Sequence, residues 1–361
     1  MGGGELYAIL KNLSLLEGLF FTCFACLLLG VTFTFFYLLT VNWHHRRKKQ
    51  QRDFIEEFIC NVILESDELA DTDISIPPAI SELLTHNYYK EFILNELLIA
   101  KKNLQGSAGH VLKSLYEQLS LNNYSQSKLK KHGWHHKVKG IQELAEMEQV
   151  SALHQLYPLI NSKNEALRGA ALSAIVKLSG FEGLKFIENL SYPLSEWLQI
   201  NLLNDLPKHA GNHLKGIEKW LLSSNTSVVV FALKLTRVYQ LFELYQQVSD
   251  CLKHKEEIVR IEAVRSLQFI YNESTPSSLI QSYHNQENKR YQLIVLSALT
   301  EMVTNEDIPF LLSEFKASDD DIKLAAGRTL LKSNEIDLES LSYSNLHPWS
   351  SIIKQIKSEV A

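Results

Sequence analysis

The chain has 361 residues, of which 45% are hydrophobic and 21% charged, a globular composition that excludes a disordered or collagenous polypeptide. Leu and Ile are abundant while Pro (8) and Gly (15) are scarce, which favours helices over strand-and-turn architectures. The net charge of −5 is uneven: residues 1–52 hold six basic and two acidic residues, 53–82 hold nine acids and no Lys or Arg, and 83–361 balance at 30 against 30, a neutral body unlike a general nucleic-acid binder.

From Leu19 to Val41 the chain runs LFFTCFACLLLGVTFTFFYLLTV, 23 residues without a charge. At ~1.5 Å per residue a helix of this length crosses a hydrocarbon core of about 30 Å. Its length, its non-basic N-terminal flank and the lack of a small-x-small cleavage site argue for a spanning helix over a cleavable signal. Trp43 and the cations Arg46, Arg47, Lys48, Lys49 and Arg52 come directly after it, whereas only Lys11, opposed by Glu5 and Glu17, precedes the run. This bias predicts a single-pass protein of the inner (plasma) membrane, with 1–18 outside, 19–41 spanning, 42–52 a basic juxtamembrane segment and the remainder cytoplasmic. The five cations serve as a topology signal and as candidates for anionic lipid. Within the span, Thr22, Cys26, Gly30 and Thr34 recur every four residues, a small-residue ridge suited to homo- or hetero-association. Cys23 and Cys26 spell CxxC, but an apolar span lacks the polar, accessible setting of a redox or metal dithiol. With Cys60 and Cys251 far away, the four cysteines form no disulfide framework, which fits a reducing compartment.

Residues 53–133 hold helical stripes of irregular spacing. FIEEFICNVIL (54–64) is amphipathic, the acidic ESDELADTD (65–73) is a flexible link, and the segments 77–103 and 110–121 are helices. These helices are expected to cap a regular array that begins near residue 134. The stretch KLKKHGWHHKVKGIQELA (128–145) packs five lysines and three histidines together. His132, His135 and His136 offer too few convergent ligands on one face for a metal, and Lys128, Lys130, Lys131, Lys137 and Lys139 are expected to be a solvated lip of the first repeat, not a phosphate site.

Beyond residue 130 one kind of amphipathic segment recurs. Aligned on a central small or apolar position, the copies fall at Gly140, Ala171, Leu202, Ala232, Ala263, Ile294 and Ala326, with spacings of 31, 31, 30, 31, 31 and 32. A shorter amphipathic segment precedes each later copy, and polar turns such as NSKNE and ASDDD join the two. Pro276 and Pro309 suit first-turn positions. Each period is therefore a helical hairpin that must stack to bury its surface.

The second segments LRGAA (167–171), VRIEA (259–263) and IKLAA (322–326) resemble the second helix of HEAT repeats, as do the pairs Asn164/Arg168, Glu256/Arg260 and Asp319/Lys323, an acid or amide four residues before a cation. Gln199, Val229 and Tyr291 depart from this pattern, so the polar ladder between repeats is expected to be interrupted there. The resemblance spans seven repeats over 134–334 and extends to bacterial membrane-anchored HEAT-repeat proteins. It implies an all-α, right-handed α-α superhelix with one N-terminal transmembrane helix, closed by a capping helix within 335–361 that Pro348 opens.

On a 100° wheel, the cations three before the central position (Lys137, Arg168, Arg260, Lys323) fall in the packed sector and read as structural. The exposed sector is polar in the early repeats. In the later ones it becomes an apolar strip rimmed by cations: Phe231, Lys234, Arg265, Phe269, Leu293, Leu296 and Arg328. This strip is the predicted docking face for an acidic, partly apolar protein segment. No phosphate loop, nucleophile elbow, HExxH or paired-carboxylate motif is present, so neither catalysis, a cofactor nor a metal is expected. The expected function is a membrane-tethered scaffold or adaptor. The alternatives are a regulatory subunit of a membrane enzyme, such as an envelope glycosyltransferase, and an enzyme on this fold of lyase or DNA-glycosylase type.

Overall fold

The computed structural model describes residues 3–65, 74–104, 106–190, 192–208, 216–316 and 319–332, with 355 and 358; in the first helix, side chains are described at 20, 24, 27–43 and from 45 onward. Most of the acidic link and the expected capping helix lie outside the described residues. Seventeen α-helices and several 3-10 turns make the fold all-α among the described residues. The chain divides into two compact units, Met1–Gln149 and Val150–Ala361.

In the N-terminal unit, α1 (Gly3–Leu64) is one unbroken helix of 62 residues. Between Val31 and Leu64 there is neither Gly nor Pro to end it. The apolar run, the basic segment and the first amphipathic stripe are thus a single rod, long and apolar enough at its start to cross a membrane. Its apolar side chains described before Trp43 are mostly exposed, whereas Ile55, Ile59 and Val62, on one face at i, i+4 and i+7, are buried. They pack with Ile80 of α2 (Pro78–Leu83), Ile93, Leu94 and Leu97 of α3 (Asn87–Asn103), and Leu112, Leu115 and Tyr116 of α4 (Ser107–Gln118).

Helices α5 (Leu121–Leu129) and α6 (Trp134–Glu146) form a close hairpin. At Gly140, the first central position, a Cβ would lie 2.8 Å from the Ser125 carbonyl and 3.0 Å from the Lys128 Cβ, so only glycine admits this crossing. The first recurring helix therefore belongs to the N-terminal unit.

Lys128 corrects the expectation of a solvated loop. It is buried, with its ammonium 2.7 Å from Glu91 and 2.5 Å from Glu143 and lying over the Tyr124 ring. Lys139 also pairs with Glu91. Desolvation pushes the Glu91 carboxyl up, but hydrogen bonds from the two lysines outweigh it and hold the group down at about 2. Desolvation pushes Glu143 up despite Lys128.

In the C-terminal unit, first segments alternate with second helices. The first segments are α7 (Leu153–Leu156) with a 3-10 turn, the 3-10 stretch Gly180–Asn189, α10 (Ile217–Trp220), α12 (Tyr245–Asp250), α14 (Thr275–His284) and α16 (Ile308–Phe315). The second helices are α8 (Glu165–Ser179), α9 (Glu196–Asp205), α11 (Thr226–Tyr239), α13 (Glu257–Leu267), α15 (Lys289–Leu299) and α17 (Asp320–Lys332). The central residues Ala171, Leu202, Ala232, Ala263 and Ala326 are all fully buried.

The polar pattern of the repeat has a local cause. Asn164, Ser195, Asn225 and Asn288 cap second helices, each accepting from an N–H of the first turn, and Asp319 accepts from the N–H groups of Asp321 and Ile322. The cation four residues on closes the preceding turn. Arg168 donates to the Ser162 carbonyl at 3.3 Å, and Arg260 to those of His254 and Lys255 at 2.7 and 2.8 Å. Arg168 also stacks on Tyr192 at 4.1 Å and Arg260 on Tyr291 at 5.9 Å. Gln199, expected as a gap, is a rung too: its amide donates to the Leu194 and Ser227 carbonyls. Of the three departures, buried Val229 alone contributes no polar group. Hydroxyls three residues past the central position tie successive second helices directly, Ser266 to the Leu233 carbonyl at 2.9 Å and Thr329 to that of Leu296 at 3.1 Å.

Removing Lys128 leaves the buried Glu143 without its cation, while Glu91 keeps Lys139. Lys128→Met should destabilise the N-terminal unit by about 3–5 kcal/mol at neutral pH. Because the Glu91 value is depressed from 4.5 to about 2 by Lys128 and Lys139 together, the Lys128 share of that stabilisation is present above pH 4.5 and lost as pH falls toward 2, so the gap between wild type and variant should narrow over that window. Denaturant melts across the pH range measure both; a pH-independent gap would contradict the pairing.

Candidate functional site

A groove of about 1030 Å³ opens in the C-terminal unit beside the starts of α9, α11, α13 and α15. Its place reflects an uneven stack. Second helices pack closely as α8–α9, α11–α13, α13–α15 and α15–α17; α9 and α11 approach less closely, share the apolar core, and are also tied by hydrogen bonds of the linker 190–195 and the turn 223–227. There Leu194 N–H donates to the Ser227 hydroxyl at 2.8 Å, and the Asn225 amide donates to the Tyr192 carbonyl at 3.0 Å. The Tyr192 hydroxyl is anchored on the Ile160 carbonyl at 2.8 Å.

The lining combines apolar Leu194, Val230, Ile258 and Ile261 with charges of both signs. Ile258 is exposed, an apolar side chain on the first turn of α13. Glu262 is buried and compensated: Arg237 lies 2.8 Å from one oxygen and Arg265 3.4 Å from the other. Lys234 differs. Its residue is 9% exposed, yet the nearest carboxylate is that of Glu196 at 4.0 Å, on a side chain that is itself 82% exposed. Arg290, also lining the groove, is exposed and forms no ion pair among the described residues.

Of the predicted strip, the groove gathers Lys234 and Arg265. Phe231 and Leu296 are fully buried, which corrects their assignment to a docking face: the flanking hairpins cover both sides of α11 and α15. Leu293 is half-buried against the same core, while Phe269 (49% exposed) and Arg328 are exposed but line no part of the groove. The linker 190–195, the turn 224–227, Ile258 and Arg290 went unpredicted. The one sequence signal for them was an apolar Ile258 directly after Glu256 and Glu257 at a helix start.

On α1 the side chains of Thr22 and Cys26 lie outside the described residues. Gly30 is open, with nothing within 4 Å of a Cβ there, and the Thr34 hydroxyl donates to its own helix at the Gly30 carbonyl. Arg46, Arg47, Lys48, Lys49 and Arg52 are all exposed. Among the described residues no three His, Cys, Asp or Glu side chains converge as metal ligands.

No protein-family model and no curated protein matches this chain. Among solved structures, the CpcE–CpcF complex of phycocyanin lyase from Nostoc sp. PCC7120 aligns over 81% of this chain and 97% of that one, at 11% identity and a TM-score of 0.25. An engineered protein aligns over 71% and 96%, at 13% identity and a TM-score of 0.22. Likeness at this level carries no argument, and the fold stands on the chain's own helices.

Phe231→Ala should cost about 3–5 kcal/mol of stability, because it empties a core position. Phe269→Ala should change stability by less than about 0.5 kcal/mol. Thermal melts of the full chain in detergent compare them, and equal shifts would refute this placement.

Proposed function

We propose that the chain is a single-pass, membrane-tethered scaffold whose C-terminal hairpins form a right-handed superhelix of HEAT type and dock a protein segment in the groove at Lys234. It acts by binding and not by catalysis. The observation that carries this reading is Lys234, a mostly covered residue that lines the groove and whose one ion-pair partner among the described residues is the exposed Glu196, at 4.0 Å. A long ion pair to an exposed, mobile carboxylate contributes little, so a ligand carboxylate can close on the ammonium from the groove and form the shorter, charge-assisted hydrogen bond. Leu194, Val230 and Ile258 offer adjacent apolar contact, so the favoured ligand places one Asp or Glu beside an aliphatic or aromatic residue. Glu196 and Glu257 in the same lining disfavour a polyanion such as nucleic acid.

A displayed peptide library panned on the full chain in micelles should enrich such sequences. Lys234→Met keeps the aliphatic stem and should weaken the enriched peptides about tenfold or more, with the melting temperature unchanged. Selected peptides without an acidic preference, or bound equally by the variant, would refute the reading. The tether is tested separately. The excess of cations after the span favours a cytoplasmic C-terminal part. Protease added to sealed cells should therefore spare a C-terminal tag until lysis; digestion before lysis reverses the orientation.

A further inference from the structure

We propose that the N-terminal unit holds the phosphate headgroup of an anionic membrane phospholipid in a pocket between α1 and the α2–α3 connection. The proposal rests on reading 19–41 as a membrane span. The pocket, of about 590 Å³, is lined from α1 by Trp43, Arg47 and Lys48 and from the facing wall by His86 and Tyr89. Tyr89 is buried and its hydroxyl is hydrogen-bonded to Gln51 of α1, which fixes the two walls together.

Depth is the first argument. Along a helix rising ~1.5 Å per residue, Arg47 and Lys48 lie roughly 10 Å beyond Val41. A headgroup layer extends about 5–8 Å beyond the hydrocarbon core on each side, so the backbone at these cations stands just past that layer, and long side chains that tilt toward the helix N-terminus bring their charges back to the level of the lipid phosphates. Trp43, 58% exposed, sits at the interface between the two zones.

Charge is the second. No carboxylate lies within ion-pair distance of Arg46, Arg47, Lys48, Lys49 or Arg52 among the described residues, although Glu82 also lines the pocket. Three of the cations rest on aromatic rings instead, Arg47 on Trp43 at 5.6 Å, Lys48 on Tyr88 at 5.3 Å and Arg52 on Phe92 at 4.4 Å. Such contacts orient a cation without neutralising it. Arg47 and Lys48 reach the pocket, whereas Arg46 and Lys49 do not. A topology signal needs only the number of cations; this site needs two particular ones.

The test compares two variants of equal charge. The full chain, reconstituted in nanodiscs of phosphatidylcholine with a minor share of phosphatidylglycerol, is extracted and its retained lipid read by native mass spectrometry. Wild type should retain phosphatidylglycerol with a preference on the order of tenfold. Arg47→Gln with Lys48→Gln should bring retention to parity, while Arg46→Gln with Lys49→Gln should keep most of it. Equal loss in both variants means diffuse surface attraction and overturns the site. Displacement of the lipid by inorganic phosphate at millimolar levels also overturns it, since the pocket would then serve a free anion. An embedded protein with no lipid preference sinks this inference alone, whereas recovery of the chain without detergent sinks the span and the inference together.

Discussion

In the C-terminal unit every hairpin carries apolar side chains on two flanks, because two helices this short leave much of their hydrophobic surface bare. Stacking is thus a condition of folding, and the remaining features adjust to it. A small residue at the centre of most second helices sets how near a neighbour can come, as at Ala171, Ala232, Ala263 and Ala326. The caps at Asn164 and Asn225 each lie seven residues before the buried Ala171 and Ala232, so these centres sit at one level of their helices, whereas Asn288 lies seven before the buried Val295 and six before the half-buried Ile294. Arg168 and Arg260 then hold the hairpin turn to the helix it feeds.

The same constraint decides where a ligand can reach. In α11 nine consecutive residues, Val228 to Thr236, are buried. A helix covered on all sides has no free face, and its accessible chemistry moves to its ends and to the joints between hairpins. At the joint between α9 and α11 the second helices approach less closely than elsewhere in the stack, and the groove opens there. Lys234 belongs to the covered helix by its stem and to the groove by its ammonium, which is how a buried residue comes to line an open site.

What was legible beforehand divides along this line. The pitch near 31 residues, the hairpin character and the structural role of Arg168 and Arg260 are consequences of local chemistry, and local chemistry repeats visibly in a sequence. Phe231 and Leu296 were misplaced because a helical wheel describes one helix and its own faces, whereas their burial comes from a hairpin about thirty residues away. Lys128 was misplaced for a related reason. A lysine among lysines looks solvated until Glu91, 37 positions earlier, and Glu143, 15 later, close on it. Gln199 lacks the charge of Arg168 and Arg260 but keeps their geometry, since an amide donor reaches a turn carbonyl as well as a guanidinium does.

The N-terminal unit shows how a distant contact can set a surface property. Because α1 has no break, the rotational phase of residues 43–52 is not free; it is fixed by Ile55, Ile59 and Val62 where they enter the core. Successive residues turn by about 100°, so a cluster of five cations necessarily points in several directions. Core packing alone decides that Arg47 and Lys48, and not Arg46 and Lys49, face the wall built by His86 and Tyr89. A flexible joint after the apolar run would have left the same five charges equivalent to one another. The unbroken helix makes them different, and that difference turns a statistical charge bias into a pocket with defined walls.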